Sequence, residues 1–139
     1  MRLSGPTGLS RRICVSPAIL PRGGGSDGTD PILIQPGDII MINFHAMHRD
    51  KQLWGNDAEV FCPERWQSAR PRWEYLPFLG GPRICPAQQM ALGQCAYLLV
   101  RFLQEFKTLE NRDEEMRFVE EIKMLCESRN GVKVALYTK

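Results

Sequence analysis

The stretch PFLGGPRICPAQQMALGQ, Pro77 to Gln94, leaves this chain few choices of fold. Its first half cannot continue a regular helix or strand, because Gly80 and Gly81 loosen the backbone while Pro82 and Pro86 remove amide donors. Its second half opens a pattern in which Leu92, Cys95, Ala96, Leu99, Leu103 and Phe106 recur at three- and four-residue steps. That is the apolar stripe of a helix packed on a core. Pro86 suits the first position of such a helix, where a missing N–H leaves no bond unmade. Gly93 weakens the helix slightly and permits a close contact. A single thiol, Cys85, is thereby held between a glycine-rich loop and a helix start.

The rest of the sequence narrows what that thiol is for. A chain of 139 residues has room for one domain. Its 43% hydrophobic and 24% charged content is that of a globular protein rather than a disordered one. The net charge of +2 comes from scattered basic residues, which argues against nucleic acid as a partner. No window reaches the ~20 apolar residues of a membrane span, and MRLSGPTGLSRRI lacks a signal-peptide core, so no membrane anchor is expected in this chain. The five cysteines, Cys14, Cys62, Cys85, Cys95 and Cys126, are an odd, widely spaced set without a C-x-x-C pair. They form neither a disulfide framework nor a thiolate zinc knuckle, and reduced thiols in a reducing compartment are the simplest reading.

Before the thiol loop the chain reads as strands and turns. Pro6, Pro17 and Pro21 break any long helix near the N-terminus. PRGGGSDGTDP, Pro21 to Pro31, is a turn-rich loop. ILIQPGDIIMINF predicts strands Ile32 to Gln35 and Ile39 to Phe44, joined as an antiparallel hairpin by Pro36-Gly37. From His45 to Arg72 short helical turns alternate with proline-punctuated loops. After the long helix, ENRDEEMR reads as a solvated linker, and Glu121 to Cys126 and Val132 to Tyr137 as a terminal hairpin closed by Asn130-Gly131.

A cysteine that ligates a metal must be a thiolate, and positive charge and N–H donors stabilise a thiolate in apolar surroundings. Here Arg83 lies two residues before Cys85, Gly80 and Gly81 let the loop turn its amides inward, and a helix start follows. Phe78 can shield the sulfur from water. This is the setting that a thiolate ligand to haem iron requires.

Phe78, Gly81, Arg83 and Cys85 resemble the pattern F-x-x-G-x-R-x-C-x-G of the cytochrome P-450 superfamily of haem-thiolate monooxygenases. The resemblance implies that Cys85 is the axial ligand to the iron and that Arg83 pairs with a haem propionate. The last glycine of the pattern is replaced by Ala87, whose methyl would lie close to the porphyrin plane. FCPERW, Phe61 to Trp66, resembles the family's P-E-R-F/W segment, and places Arg65 in an Arg–Glu–Arg network that braces the haem core. MRLSGPTGLSRR resembles the run from the E-x-x-R helix into the first sheet. It makes Arg2 the arginine of that motif, with its glutamate two places before Met1, and Arg12 the partner of a second propionate. ILPRGGG and the run from Asp30 to Trp66 are especially similar to fungal alkane and fatty-acid hydroxylases, which would put His48 near the haem edge or in a structural hydrogen bond. Met124 and Leu125 would line the substrate end.

The implied fold is α+β: residues 1–139 as one partial domain, the C-terminal part of the mainly helical haem-thiolate monooxygenase fold. It holds short β-hairpins, the cysteine-ligand loop and one long helix after it. The implied function inserts one oxygen atom from O2 into an alkane or fatty-acid-like substrate, with haem as cofactor and an NADPH-dependent reductase as electron donor. Thiolate donation promotes O–O cleavage, and the protein supplies ligand, field and pocket. Intact relatives are implied to sit at the cytosolic face of the endoplasmic reticulum membrane. The distal half with its acid–alcohol pair, the E-x-x-R glutamate and the membrane anchor are expected to be missing. A second reading follows from that expectation: a truncated, catalytically silent chain without stable haem binding, at best an interaction fragment.

Other patterns carry less. His45 and His48 with Cys62 could suggest zinc, but a three-residue spacing suits a helix better than the strand end expected there. RGGGSDGTD lacks the lysine of a phosphate loop and the acidic ladder of a calcium site, and reads as a surface turn. Cys14, Cys62, Cys95 and Cys126 read as structural thiols.

By the same resemblance, Pro86 would have no N–H to direct at the sulfur, so the thiolate would keep more electron density and a bound iron would have a lower reduction potential. Pro86→Leu in a full-length relative is therefore expected to raise that potential in a spectroelectrochemical titration; an unchanged or lower value contradicts the assignment.

Overall fold

A computed structural model describes residues 1–5, 8–115, 118–123 and 125–139. Among these residues the chain is a mixed α/β assembly of four two-stranded antiparallel sheets, two single-turn helices and one long helix. The strands are β1 (Leu9–Ile13), β2 (Ala18–Gly24), β3 (Asp30–Ile34) and β4 (Ile39–Asn43), followed after the helices by β5 (Phe106–Asn111), β6 (Glu120–Ile122), β7 (Cys126–Ser128) and β8 (Val134–Thr138). The helices are α1 (Phe44–Met47), α2 (Lys51–Trp54) and α3 (Gln88–Glu105).

The strands expected at Ile32 to Gln35, Ile39 to Phe44 and Val132 to Tyr137 form with small shifts but pair differently, whereas the one expected at Glu121 to Cys126 is divided between β6 and β7. β3 pairs with β2 and β4 with β1, so the two strands flanking Pro36-Gly37 are not hydrogen-bonded to one another. The pairs Ile13↔Ile39 and Ala18↔Ile34 belong to one continuous register, interrupted by residues 14–17 on one side and 35–38 on the other. The four strands are thus one long kinked hairpin whose tip is the glycine-rich stretch, where the Gly23 amide donates to the Gly28 carbonyl at 2.9 Å. The Pro36-Gly37 turn is real: Gly37 has φ +94, and the Asp38 carboxylate accepts from the Gln35 amide at 2.7 Å. It docks instead on Cys14, whose carbonyl accepts from the Gly37 amide and whose amide donates to the Asp38 carbonyl, both at 2.9 Å.

The C-terminal region repeats this nesting. β6 pairs with β7, while β8 returns to β5, so the Asn130-Gly131 turn joins two sheets rather than the arms of a hairpin. Part of the expected solvated linker, Glu110 and Asn111, is consequently strand.

A small core forms where the hairpin ends. Asn43 caps α1 by accepting the Ala46 amide at 2.9 Å, and Asp50 caps α2 by accepting the Gln52 amide at 2.8 Å. These caps direct Phe44 and Trp54 inward, where they are buried with Ala58. Burial of each ring stabilises by about 1.5–3 kcal/mol. Trp54, Trp66 and Tyr75 pack ring against ring at centroid distances of 4.8 to 6.1 Å, in the tilted and edge-on arrangements that aromatic quadrupoles favour.

The helix α3 departs from expectation in two ways. Pro86 lies in the turn before Ala87, the N-cap, so it precedes the helix rather than opening it. The expected core stripe is also uncovered, with Leu99 at 65% and Leu103 at 74% exposure, and Cys95 is exposed rather than structural. The amphipathic pattern is present, yet among the described residues the main element in contact with α3 is β5, the strand that directly follows it.

Candidate functional site: the cysteine loop and the arginine pair

The loop from Leu76 to Pro86 is a chain of constrained backbone positions. Gly81 adopts φ +70, which suits glycine, and opens a 3-10 turn over Gly81–Arg83. Leu79 adopts φ +66, an outlier for a bulky side chain that persists only where the surroundings impose it. Gly80 packs under Trp73 so closely that a Cβ would come within 2.6 Å of the indole. The Cys85 amide then donates to the Phe78 carbonyl at 2.9 Å and closes the loop.

This loop walls a half-open cavity of about 700 Å³. Phe78, Arg83 and Cys85 line it together with Leu79, Phe44 and Leu125, so apolar walls surround one thiol and one guanidinium. Arg83 makes no ion pair among the described residues and its side chain stands at the exposed rim. Ala87 caps α3 without a side-chain acceptor, so the amide end of the helix begins just beyond the thiol. Met124 lies outside the described residues.

The two remaining core arginines form a second site beside the first. Arg2 is buried, lies 5.0 Å over the Trp54 ring, and donates to the His48 carbonyl at 2.6 Å and the Val60 carbonyl at 3.4 Å. Burial, and next the neighbouring Arg65, lower its pKa from the ordinary guanidinium value. Arg65 pairs with Asp57 at 2.8 Å and also donates to the carbonyls of Trp54 and Val60. Its Nε is buried with no hydrogen-bond partner among the described residues. Both guanidinium groups line a cavity of about 380 Å³ with Trp66 and Tyr75.

The structure therefore brings Phe78, Gly81, Arg83, Cys85 and Ala87 together in one loop, and Arg2 and Arg65 in one neighbouring cluster. It does not bring Arg12 to either: that side chain is exposed on β1 and bonds Ser10 Oγ at 3.0 Å and the Arg11 carbonyl at 2.8 Å. His48 takes the second of its two expected places, a structural hydrogen bond, with its Nε2 accepting from the Leu76 amide at 3.0 Å. His45 Nδ1 lies 3.2 Å from the Glu120 carboxylate. Sequence reasoning missed Trp73, Leu79 and Asp57. No periodicity marks the first two, and Asp57 could have been suspected only as an acidic neighbour of the P-E-R segment.

The structure thus sets one thiol in an apolar pocket just before a helix, with the Arg2–Arg65 pair in the neighbouring cavity. The cytochrome P-450 family model matches residues 25–134, and the chain belongs to that family. It is 46% identical over 98% of its length to the cytochrome P-450 monooxygenase himC of Aspergillus japonicus. It is 44% identical over 98% of its length to the monooxygenase fsdH of Fusarium heterosporum, and 41% over 95% to apdE of Emericella nidulans. These fungal relatives are longer: the chain spans about a quarter of their length, 24 to 25%. Their names give the reaction class without a substrate. No helix among the described residues is long and apolar enough to cross a membrane.

Gly81→Ala is expected to destabilise the chain by about 1–2 kcal/mol in urea unfolding through backbone strain alone, since the new Cβ meets nothing within 4 Å. An unchanged midpoint would show that the loop does not hold this conformation.

Proposed function

We propose that residues 1–139 form one partial domain that holds the thiolate side of a haem monooxygenase, with Cys85 as the iron ligand. The observation that carries this reading is the cavity of about 700 Å³ lined by Cys85, Phe78 and Arg83. Its size falls within the range of small-molecule sites. One sulfur, one cation without an ion pair among the described residues and otherwise apolar walls are the donor set for a flat apolar macrocycle with an anionic edge, so the residues present fit haem.

In this reading Cys85 supplies the sulfur, and the loop closure from its amide to the Phe78 carbonyl fixes where the sulfur stands. Phe78 keeps water from it. Arg83 neutralises a propionate at the rim, and Ala87 and Gly81 set how closely the macrocycle approaches the loop. Arg12 would reach a second propionate only by leaving its bonds to Ser10 and Arg11. Arg2 and Arg65 brace the core, and the partnerless Nε of Arg65 beside their shared cavity supports a carboxylate as their common partner. Haem, when bound, supplies the activation of O2. The substrate is a small hydrophobic molecule, with an alkane or fatty-acid chain as the specific expectation and Leu125 at its end of the cavity. Electrons come from a reductase.

The test is to load the chain with haem, reduce it and add carbon monoxide. The strongly red-shifted Soret band of a thiolate-ligated complex is expected, and Cys85→Ser should abolish it while Cys95→Ser and Cys126→Ser retain it. A neutral-ligand band, or no haem uptake, overturns the proposal and favours a silent, haem-free chain.

A further inference from the structure

The loop that carries Cys85 is tied to the core at its first residue, and the tie depends on one proton being absent. The Leu76 amide donates to His48 Nε2 at 3.0 Å. Nε2 therefore carries no hydrogen, and the neutral ring keeps its proton on Nδ1. The same residue accepts Arg2 Nη1 at 2.6 Å through its backbone carbonyl. Its ring, only 3% exposed as part of the whole residue, stands between Phe44 and Tyr75 at centroid distances of 6.3 and 5.4 Å. One residue thus bonds the buried guanidinium on one side and the start of the cavity wall on the other.

We propose that His48 is the positioning residue of the cysteine loop, its imidazole acting as the acceptor that holds Leu76, and through it the Phe78–Cys85 closure, against the Arg2–Trp54 core. Leu76 lines the same cavity as Cys85. Leu76 is itself followed by the strained Leu79, whose amide donates back to the Leu76 carbonyl at 3.3 Å. A shift of Leu76 would therefore be passed directly into the loop. Without an acceptor at residue 48, the Leu76 amide is a donor with no partner in a half-buried place, a cost that backbone donors rarely bear.

The surroundings keep the acceptor available. Burial, and then the charges of Arg2, the Met1 amino group and Arg49, lower the His48 pKa from 6.5 to about 4. Tyr75, across the ring, has its own pKa raised by burial. Glu120 faces the same small cavity as His48, and its carboxylate is engaged by His45 at 3.2 Å. Because the folded value lies below 6.5, the native chain binds fewer protons than the unfolded one between those pH values. The tie is complete above pH 6.5 and is lost as the pH falls through about 4.

The tie is a bond within the chain itself, and only its consequence at an iron rests on the proposed function. The test accordingly uses the 15N-labelled chain alone: imidazole nitrogen shifts report the His48 tautomer and titration, and amide exchange reports Leu76. The expected result is an unprotonated Nε2 at neutral pH. Leu76 should lose protection on acidification as His48 gains its second proton, while amides of the β5–β8 ladder stay protected. His48→Gln, which keeps an acceptor near Nε2 and cannot titrate there, should preserve Leu76 protection and remove the acid step. His48→Phe should speed Leu76 exchange roughly tenfold or more without touching β5–β8; if it does not fold, the wild type and His48→Gln still decide. A proton on Nε2 at neutral pH, Leu76 equally protected in His48→Phe, or an acid step that persists in His48→Gln would overturn the proposal.

Discussion

The fold is organised around the burial of one positive charge. A guanidinium removed from water must find acceptors in fixed positions, because an unpaired buried charge costs far more than any single contact here supplies. Arg2 finds them in the carbonyls of His48 and Val60 and in the face of Trp54. Those three partners come from separate stretches of chain, so satisfying the charge fixes the positions of the turn after α1, the end of α2 and the segment leading to Phe61. Arg65 shares the Val60 carbonyl, adds that of Trp54, and is balanced by Asp57. The packing of Trp54, Trp66 and Tyr75 then closes around a framework that electrostatics has already placed.

The cysteine loop inherits its position from this framework. His48 is bonded at its backbone to Arg2 and at its ring to Leu76, so the cavity wall starts from the same residue that satisfies the charge. From there the loop has little freedom. Gly80 is pinned under Trp73, Leu79 and Gly81 turn with positive φ, and Cys85 closes on Phe78. Backbone strain at Leu79 of order 1–2 kcal/mol is the kind that clusters at binding sites, where a fixed geometry is worth its cost.

Local chemistry was legible in the sequence, and long-range pairing was not. The turns at Pro36-Gly37 and Asn130-Gly131, the strands beside the first and the periodicity of α3 are written in short-range patterns and are present, whereas the strand expected at Glu121 to Cys126 is divided between β6 and β7. A turn signal, however, says that the chain reverses without saying which strand receives it. In both regions the ladder nests, β1 with β4 and β5 with β8, so the neighbouring strands suggested by sequence proximity belong to different sheets. The site shows the same division. The spacing of Phe78, Gly81, Arg83 and Cys85 announces a loop around a thiol, whereas the Trp73–Gly80 contact, the Asp57–Arg65 pair and the His48–Leu76 bond depend on folding and leave no periodic trace. Arg12 was linked to the others by family resemblance alone, and it stands apart from them on an exposed strand.

The central claim is that this loop presents Cys85, and no other thiol, to an iron. Sulfur scattering in the iron K-edge absorption spectrum of the haem-loaded chain tests it directly. A single sulfur neighbour that disappears in Cys85→Ser and survives replacement of Cys14, Cys62, Cys95 or Cys126 is the predicted result. No sulfur neighbour in the wild-type chain, or one that persists in Cys85→Ser, would contradict the account.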